Sequence, residues 1–406
     1  MRKRTKRALV VTHRWASLIL GAVLLVVTTS GAVVLYAPEY FRATHPALFH
    51  HTDSARPLSP GQALDVVRRA HPEFPATMVN FDHGVYEVGS SEGSGPLYGV
   101  DPGTGRITGR ADANGGFMGF MVNLHACGLT CAGYPGYVPW FDKAMPTFGQ
   151  SWMKDVKVGG FVLAFTGVVL LLLALSGVVL WWPGVRRWRQ GFRVRFGRGR
   201  FARDYDLHQV VGLAVVPFLL MWSVTGVSFE FPAVSRAWYA VTGGRTVAEP
   251  VFASGASSGP DITVDAAVAS ALGALRPTEP AGTPDRVVYV SLPDADDPAG
   301  YYDVIVARGL DPWRYGVYPG QVSVGVDRHD PRHVAVLNPA HGPTLSNTVW
   351  DQWRAPMFHY GYSVNGWWRL VWLLFGLSPL VLAATGVSTW LYRRGTRRRR
   401  AAARAA

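Results

Sequence analysis

Four long stretches of this chain are almost free of charge, and they constrain its fold more than any other feature. They cover residues 15–36, 158–182, 210–229 and 367–392. A helix that crosses a lipid bilayer needs about 20 predominantly apolar residues, and each stretch is long enough. Because of them only 17% of the residues are charged, against about 25% in an ordinary globular domain. The sequence therefore predicts a membrane protein with four spanning helices.

Lysine and arginine are concentrated in three segments that flank the apolar stretches. Residues 1–14 hold six of them, residues 183–207 hold eight and residues 393–406 hold seven, out of 40 in the chain. Basic segments beside spanning helices stay in the cytoplasm, and all three fall on one side of a four-helix topology. The charge therefore predicts cytoplasmic N- and C-termini. Attraction to anionic lipid explains the net charge of +13 without a nucleic-acid partner.

The chain also repeats itself. His13 opens the first apolar stretch and His208 opens the third, and each precedes a glycine by eighteen residues. A Ser-Gly or Thr-Gly dipeptide recurs in all four stretches, at positions 30–31, 176–177, 225–226 and 385–386. This pattern predicts an internal duplication in which both copies have the same orientation, related by an axis along the membrane normal.

The two long polar segments between the spans are each predicted to fold as a small α+β unit. In the first segment, Ser59 is a predicted N-cap for an amphipathic helix. Alternating apolar residues predict the strands. The predicted helices are 60–70 and 263–275, and the predicted strands are 85–88, 98–101, 286–292, 301–307 and 321–327.

Four of the twelve histidines lie near the ends of predicted spanning helices. His13 and His208 are at the cytoplasmic face, and His125 and His359 are at the opposite face. Two histidines at one depth can supply both axial ligands of a haem iron, inside the dry interior of a helix bundle. One haem near each face would give electrons a path across the bilayer. The alternative is that these histidines only anchor the helix ends at the interface.

The two cysteines, Cys127 and Cys131, both lie in the first polar segment. On the outer side of a membrane this spacing favours a disulfide that closes a small loop. A free or metal-binding pair is the alternative, although two cysteines alone do not make a structural zinc site.

Several motifs together resemble a known family. They are His13-Arg14-Trp15 at the start of the first helix, the run Ser176–Pro183 at the end of the second, Asp206-Leu-His-Gln209 at the start of the third, and the Val-Tyr-Glu-Val and Asp-Pro-x-Thr-Gly segments within 63–101. On these residues the chain resembles the PepSY-associated transmembrane-helix family over nearly its whole length.

The resemblance implies a bacterial inner-membrane protein, and some family members reduce ferric siderophores with two b-type haems held by helix histidines. By position, the haem ligands would be His13, His208, His359 and His125. The sequence departs from the family pattern at His125, which here stands well before the second helix and is separated from it by both cysteines.

The resemblance also implies partners. The chain has no GxGxxG motif after a strand, so it carries no nicotinamide or flavin site of its own. A cytoplasmic donor or a membrane quinol would supply the electrons, and a ferric siderophore or other iron chelate would accept them. Two alternatives are a non-catalytic PepSY sensor or protease-modulating protein, in which the helices only anchor, and a small transporter.

The predicted fold is thus an all-α four-helix membrane bundle with two extracytoplasmic PepSY-like α+β domains. The predicted divisions are a basic N-terminus 1–14, helix one 15–36, the first domain 37–155, helix two 156–182, a basic loop 183–207, helix three 208–230, the second domain 231–365, helix four 366–392 and a basic tail 393–406.

Overall fold

The computed structural model describes most of the chain. The described residues are 3–90, 95–182, 186, 188–247, 251–255, 259–275, 285–308, 321–339, 341–362 and 366–405.

The two halves of the chain have the same order of main elements: a long helix, two shorter helices, four strands, a short helical piece that continues into a π-helix, and a second spanning segment. The short piece is α4 in the first half and the single turn Leu345–Asn347 in the second. The first half contains α1 Lys3–Val34, α2 Ala37–Thr44, α3 Pro60–Ala70, β1 Met78–Asp82, β2 Val85–Gly89, β3 Leu97–Val100, β4 Ile107–Ala111, α4 Gly116–Val122, a first π-helix Asn123–Cys127 and α5 Val158–Trp181. The second half contains α6 Gly199–Glu230, α7 Pro232–Thr242, α8 Val264–Leu275, β5 Asp285–Ser291, β6 Tyr301–Arg308, β7 Gln321–Asp327, β8 Val334–Asn338, a second π-helix Thr348–His359, α9 Gly366–Gly376 and α10 Ser378–Ala405.

Four helical segments in the described part of the chain are long and apolar enough to cross a membrane, at 4–34, 158–181, 196–230 and 367–405. Many of their large apolar side chains are exposed: Ile19 is 69% exposed, Leu172 59% and Leu374 61%. A water-soluble protein rarely leaves apolar surface of this extent uncovered, whereas contact with lipid accounts for it.

The bundle is built around α5 and α6. These two helices pack on each other, α1 packs on α5, and α10 packs on α6. The fourth spanning segment is interrupted at Leu377, between α9 and α10. Pro379 is the second residue of α10, a position where the missing N–H of proline leaves no helical hydrogen bond unmade.

The eight strands form one antiparallel sheet in the order β4-β3-β2-β1-β5-β6-β7-β8. The two halves join where β1 pairs with β5, and Val79 lies opposite Val290. Helices α3 and α8 contact each other, and their apolar residues share one hydrophobic core with the strands. The two predicted α+β units therefore share a single sheet and a single core.

The start of α3 follows the sequence-based expectation. Ser59 accepts a hydrogen bond from the backbone N–H of Gln62, and the side chain of Gln62 accepts one from the backbone N–H of Ser59, which makes a complete capping box. The Ser59 hydroxyl also donates to Asp265 of α8 at 2.6 Å. The cap thus ties the helix of the first half to the helix of the second.

Candidate functional site

Two of the four predicted histidines lie together at the end of the bundle next to the sheet. His125 is in the first π-helix and His359 ends the second. Their ring centroids are 6.1 Å apart and the ring planes are inclined by 31°. A π-helix is rare and is frequently found at functional sites. We call His125 and His359 the sheet-side pair.

The first π-helix explains how His125 reaches the bundle although it is remote from α5 in sequence. α4 and the π-helix both pack on α1. The turn that follows brings Gly128, at φ +61°, against Gly159 at the start of α5, where a Cβ on Gly128 would lie 2.6 Å from backbone atoms. Only glycine suits both the left-handed backbone and this close approach.

The other two histidines, His13 and His208, lie in α1 and α6 toward the opposite end of the bundle. They line one cavity of about 800 Å³, which is within the range of about 300–1,000 Å³ for small-molecule and cofactor sites. Most of the cavity wall is aliphatic and aromatic. Six basic residues also line it: Lys6, Arg14, Arg393, Arg394, Arg397 and Arg398. We call His13 and His208 the terminus-side pair.

Each histidine lies against one of the four Ser-Gly or Thr-Gly dipeptides, on a different helix from its own. His13 faces Ser176-Gly177, His125 faces Ser30-Gly31, His208 faces Thr385-Gly386 and His359 faces Thr225-Gly226. In every case the hydroxyl lies within hydrogen-bonding distance of Nδ1 and the glycine lies beside the ring. One arrangement therefore occurs four times, twice in each half of the chain.

The hydrogen bonds fix the position of the ring proton in two of the histidines. Nδ1 of His125 is 2.9 Å from the carbonyl oxygen of Val27, and Nδ1 of His208 is 3.0 Å from that of Leu382. A carbonyl oxygen only accepts hydrogen bonds. Nδ1 of both rings must therefore carry the proton.

The same holds for the remaining two, whose partners are hydroxyls. His13 Nδ1 is 2.7 Å from Ser176 Oγ, and His359 Nδ1 is 2.9 Å from Thr225 Oγ1. Each of these hydroxyls donates its own proton to a carbonyl in the preceding turn of its helix, at 3.0 and 2.8 Å. With their protons directed to these carbonyls, the hydroxyls accept from the histidines, and Nδ1 is again the donor.

A neutral imidazole with its proton on Nδ1 has a lone pair on Nε2, which is the arrangement of a metal-ligating histidine with an outer hydrogen bond. Within the described residues, Nε2 of none of the four makes a hydrogen bond. Four histidines are thus oriented with an available nitrogen, two at each end of the bundle.

The sheet-side spacing suits one metal ion between two imidazoles. Metal–imidazole bonds of about 2 Å on both sides of an ion place the two ring centres about 6 Å apart, and the observed value is 6.1 Å. No three His, Cys, Asp or Glu side chains come together as a metal site in the described ranges. Two imidazoles can be the protein ligands of a metal whose other ligands come from a macrocycle, as in haem.

Cys127 and Cys131 form a disulfide with a Cα–Cα distance of 5.7 Å. It closes the turn that begins two residues after His125. Asn123, which opens the π-helix before this turn and is fully buried, receives the Cys131 N–H on its side-chain oxygen at 3.1 Å and donates to the carbonyl oxygen of Pro135 at 3.1 Å. The disulfide and Asn123 together hold the backbone that carries His125.

Replacing both cysteines by serine is expected to lower the free energy of unfolding of this loop by about 2 kcal/mol, the chain-entropy value for so short a loop. Amide hydrogen exchange of residues 123–138 in detergent measures it, and exchange there should become faster while exchange in the sheet stays the same. The reduced parent protein is the matched control and should behave like the double variant. Unchanged exchange in both would show that the disulfide does not hold this turn.

Sequence reasoning identified the four histidines but not what orients them. The Ser-Gly and Thr-Gly dipeptides are recognisable in the sequence as markers of the repeat. Their presence in all four spans was the one sign that they contact the histidines. The sequence could not identify the carbonyl oxygens of Val27 and Leu382 as partners, because every residue has a backbone carbonyl.

The comparisons with known proteins agree with this architecture. A family model described as the PepSY-associated TM region matches residues 10–393, a range that contains all four histidines. The uncharacterized protein PA4219 of Pseudomonas aeruginosa is 29% identical over 252 residues, covering 59% of this chain and 60% of that protein. The match therefore spans about three fifths of the relative's length. Since the family model covers nearly the whole sequence, the chain belongs to the family of proteins with the PepSY-associated transmembrane region.

Proposed function

We propose that this protein transfers electrons across a membrane through two b-type haems. One haem would be held by the terminus-side pair, His13 and His208, and the other by the sheet-side pair, His125 and His359. The observation that carries the proposal is the fourfold arrangement in which Nδ1 of each histidine is fixed as a donor and Nε2 is left available.

The residues of this chain have distinct roles in this proposal. When bound, haem iron supplies reversible one-electron chemistry. The hydroxyls and carbonyls at Nδ1 orient the imidazoles and increase their basicity as ligands. The glycines leave room beside the rings, and the apolar walls exclude water, which is one of the ways in which a protein tunes a haem site.

The proposed direction of transfer follows from the charge pattern. On this proposal both termini lie in the cytoplasm, which the basic segments favour, and the sheet lies outside the cytoplasmic membrane of a bacterium. A cytoplasmic protein or a quinol would supply electrons at the terminus-side pair. A ferric siderophore or other iron chelate would accept one electron at the sheet side, which reduces Fe(III) to Fe(II). A quinol that gives up two electrons would reduce two ferric ions and release two protons.

We also propose that the fold arose by duplication of one half of the chain. The repeated order of elements and the repeated dipeptides favour an internal parallel duplication. On this account each copy contributed one PepSY-like set of four strands, and β1–β5 pairing joined them in one sheet.

A haem count tests the proposal directly. The protein, purified from cells with ample haem supply, is expected to contain two b-type haems per chain by pyridine haemochrome assay. The dithionite-reduced spectrum is expected to be that of low-spin haem with two nitrogen ligands. Protein that folds but contains no haem would refute the electron-transfer function and favour a membrane-anchored sensor.

A further inference from the structure

Arg354 is a cation beside the sheet-side pair, and it forms no ion pair with a described carboxylate. It lies in the second π-helix, five residues before His359. Its guanidinium carbon is 5.1 Å from the ring centre of Phe229, and Phe229 packs edge-on against the His359 ring at 5.2 Å. The guanidinium is therefore one aromatic ring away from a proposed haem ligand.

The hydrogen bonds of Arg354 are incomplete. Nη1 donates to Ser228 Oγ at 3.2 Å, but Nε is buried and has no partner. Among the described residues, no carboxylate lies within ion-pair distance of it. Asp351, one turn earlier in the same helix, accepts instead from the hydroxyl of Tyr239 and from Asn347 at 3.1 Å. Arg354 is half-buried and a buried donor without a partner is unfavourable, so this place suits a further acceptor.

The terminus-side pair has a similar arginine. Arg14 follows His13 directly and lines the same cavity, and its buried Nε also lacks a partner. Arg369 is different although its Nε is likewise unpaired, because its Nη2 donates to Glu39 at 2.9 Å. Each histidine pair is thus accompanied by one half-buried arginine whose buried Nε has no partner and which forms no ion pair with a carboxylate in the described chain.

We infer that Arg354 binds a carboxylate of a molecule that occupies the sheet-side site. A planar guanidinium is well matched to a carboxylate, which can accept from Nε and from an Nη atom together. The inference rests on the proposed function, which offers two sources of this group. One is a propionate of the bound haem, and the other is a carboxylate of a ferric chelate.

Two variants and one control test the inference. Arg354→Gln removes the charge, Arg354→Lys keeps it without the planar geometry, and Arg236→Gln removes an exposed arginine from the neighbouring α7. If the carboxylate is a propionate, the Arg354→Gln protein is expected to lose one of its two haems about 10- to 100-fold faster than the parent. Haem loss is measured as transfer to added apomyoglobin. The midpoint potential of that haem should fall, because a positive charge near the iron is lost. Arg354→Lys should recover part of the potential but not the retention.

A second measurement distinguishes the two sources. If the carboxylate belongs to the chelate, Arg354→Gln leaves haem release and potential unchanged, and the concentration of ferric citrate needed for half-maximal haem oxidation rises about tenfold or more. Either result supports the carboxylate site. Haem release, potential and citrate dependence that all equal those of Arg236→Gln would overturn it. A parent protein without haem would refute the proposed function, while ferric citrate binding that depends on Arg354 would still support the anion site.

Discussion

On the proposed function, His359→Ala is expected to purify with one haem per chain and the parent with two. The remaining haem should be the terminus-side one, because His13 and His208 lie at the other end of the bundle and their hydrogen bonds within the described residues lie in α1, α5, α6 and α10. His13→Ala should give the complementary result and lose the terminus-side haem. Loss of one axial ligand leaves an iron with an open coordination position, so any haem that stays in the altered site should become high-spin.

The measurement is a pyridine haemochrome count together with a potentiometric titration of the reduced absorption band. Two potentials should be resolved in the parent and one in each variant, and the two surviving potentials should differ. His50→Ala, which removes an exposed histidine, is the control and should keep both haems. Variants of His13 and His359 that retain two low-spin haems would show that these histidines are not the ligands.

The spanning helices and the histidine positions could be predicted because both depend on local patterns. A run of about 20 apolar residues is read directly from the sequence, and all four runs are helical. Alternation located five strands. It missed β8, an edge strand whose residues are only partly buried, and β4 at the other edge. β1 was missed for another reason: its central residue, Asn80, is polar and interrupts the apolar pattern. In the fold the Asn80 side chain donates to Glu87 of β2 at 2.7 Å.

The joining of the halves could not be predicted. Pairing of β1 with β5 brings together segments about half a chain apart, and nothing local in either strand specifies the other. The position of His125 was uncertain for the same reason, because it depends on how α4 and the first π-helix pack on α1. The Nδ1 hydrogen bonds are likewise a property of helix packing, since each one crosses from one helical segment to another.

Gly31→Ala is expected to abolish haem binding at the proposed sheet-side site. A Cβ at position 31 would lie 2.4 Å from Cε1 and 2.8 Å from Nε2 of His125, and real Cβ atoms do not approach other atoms so closely. The ring would have to leave its position beside α1 and lose its hydrogen bond to Val27. Alanine in a helix is otherwise more stable than glycine by about 0.5–1 kcal/mol, so helix propensity does not explain a loss. About half of the haem should disappear, with the sheet-side potential absent.

The chain contains a matched comparison for this variant. Gly226 stands beside His359 as Gly31 stands beside His125, but a Cβ there would lie 3.5 Å from His359 Cε1, an ordinary van der Waals distance. Gly226→Ala should therefore keep two haems, as should Gly273→Ala in α8, where no atom lies within 4 Å. Loss of haem in Gly31→Ala, but not in Gly226→Ala or Gly273→Ala, would show that contact with His125 causes the loss. Full haem content in Gly31→Ala would exclude His125 as a ligand, and the sheet-side site would then need another residue opposite His359.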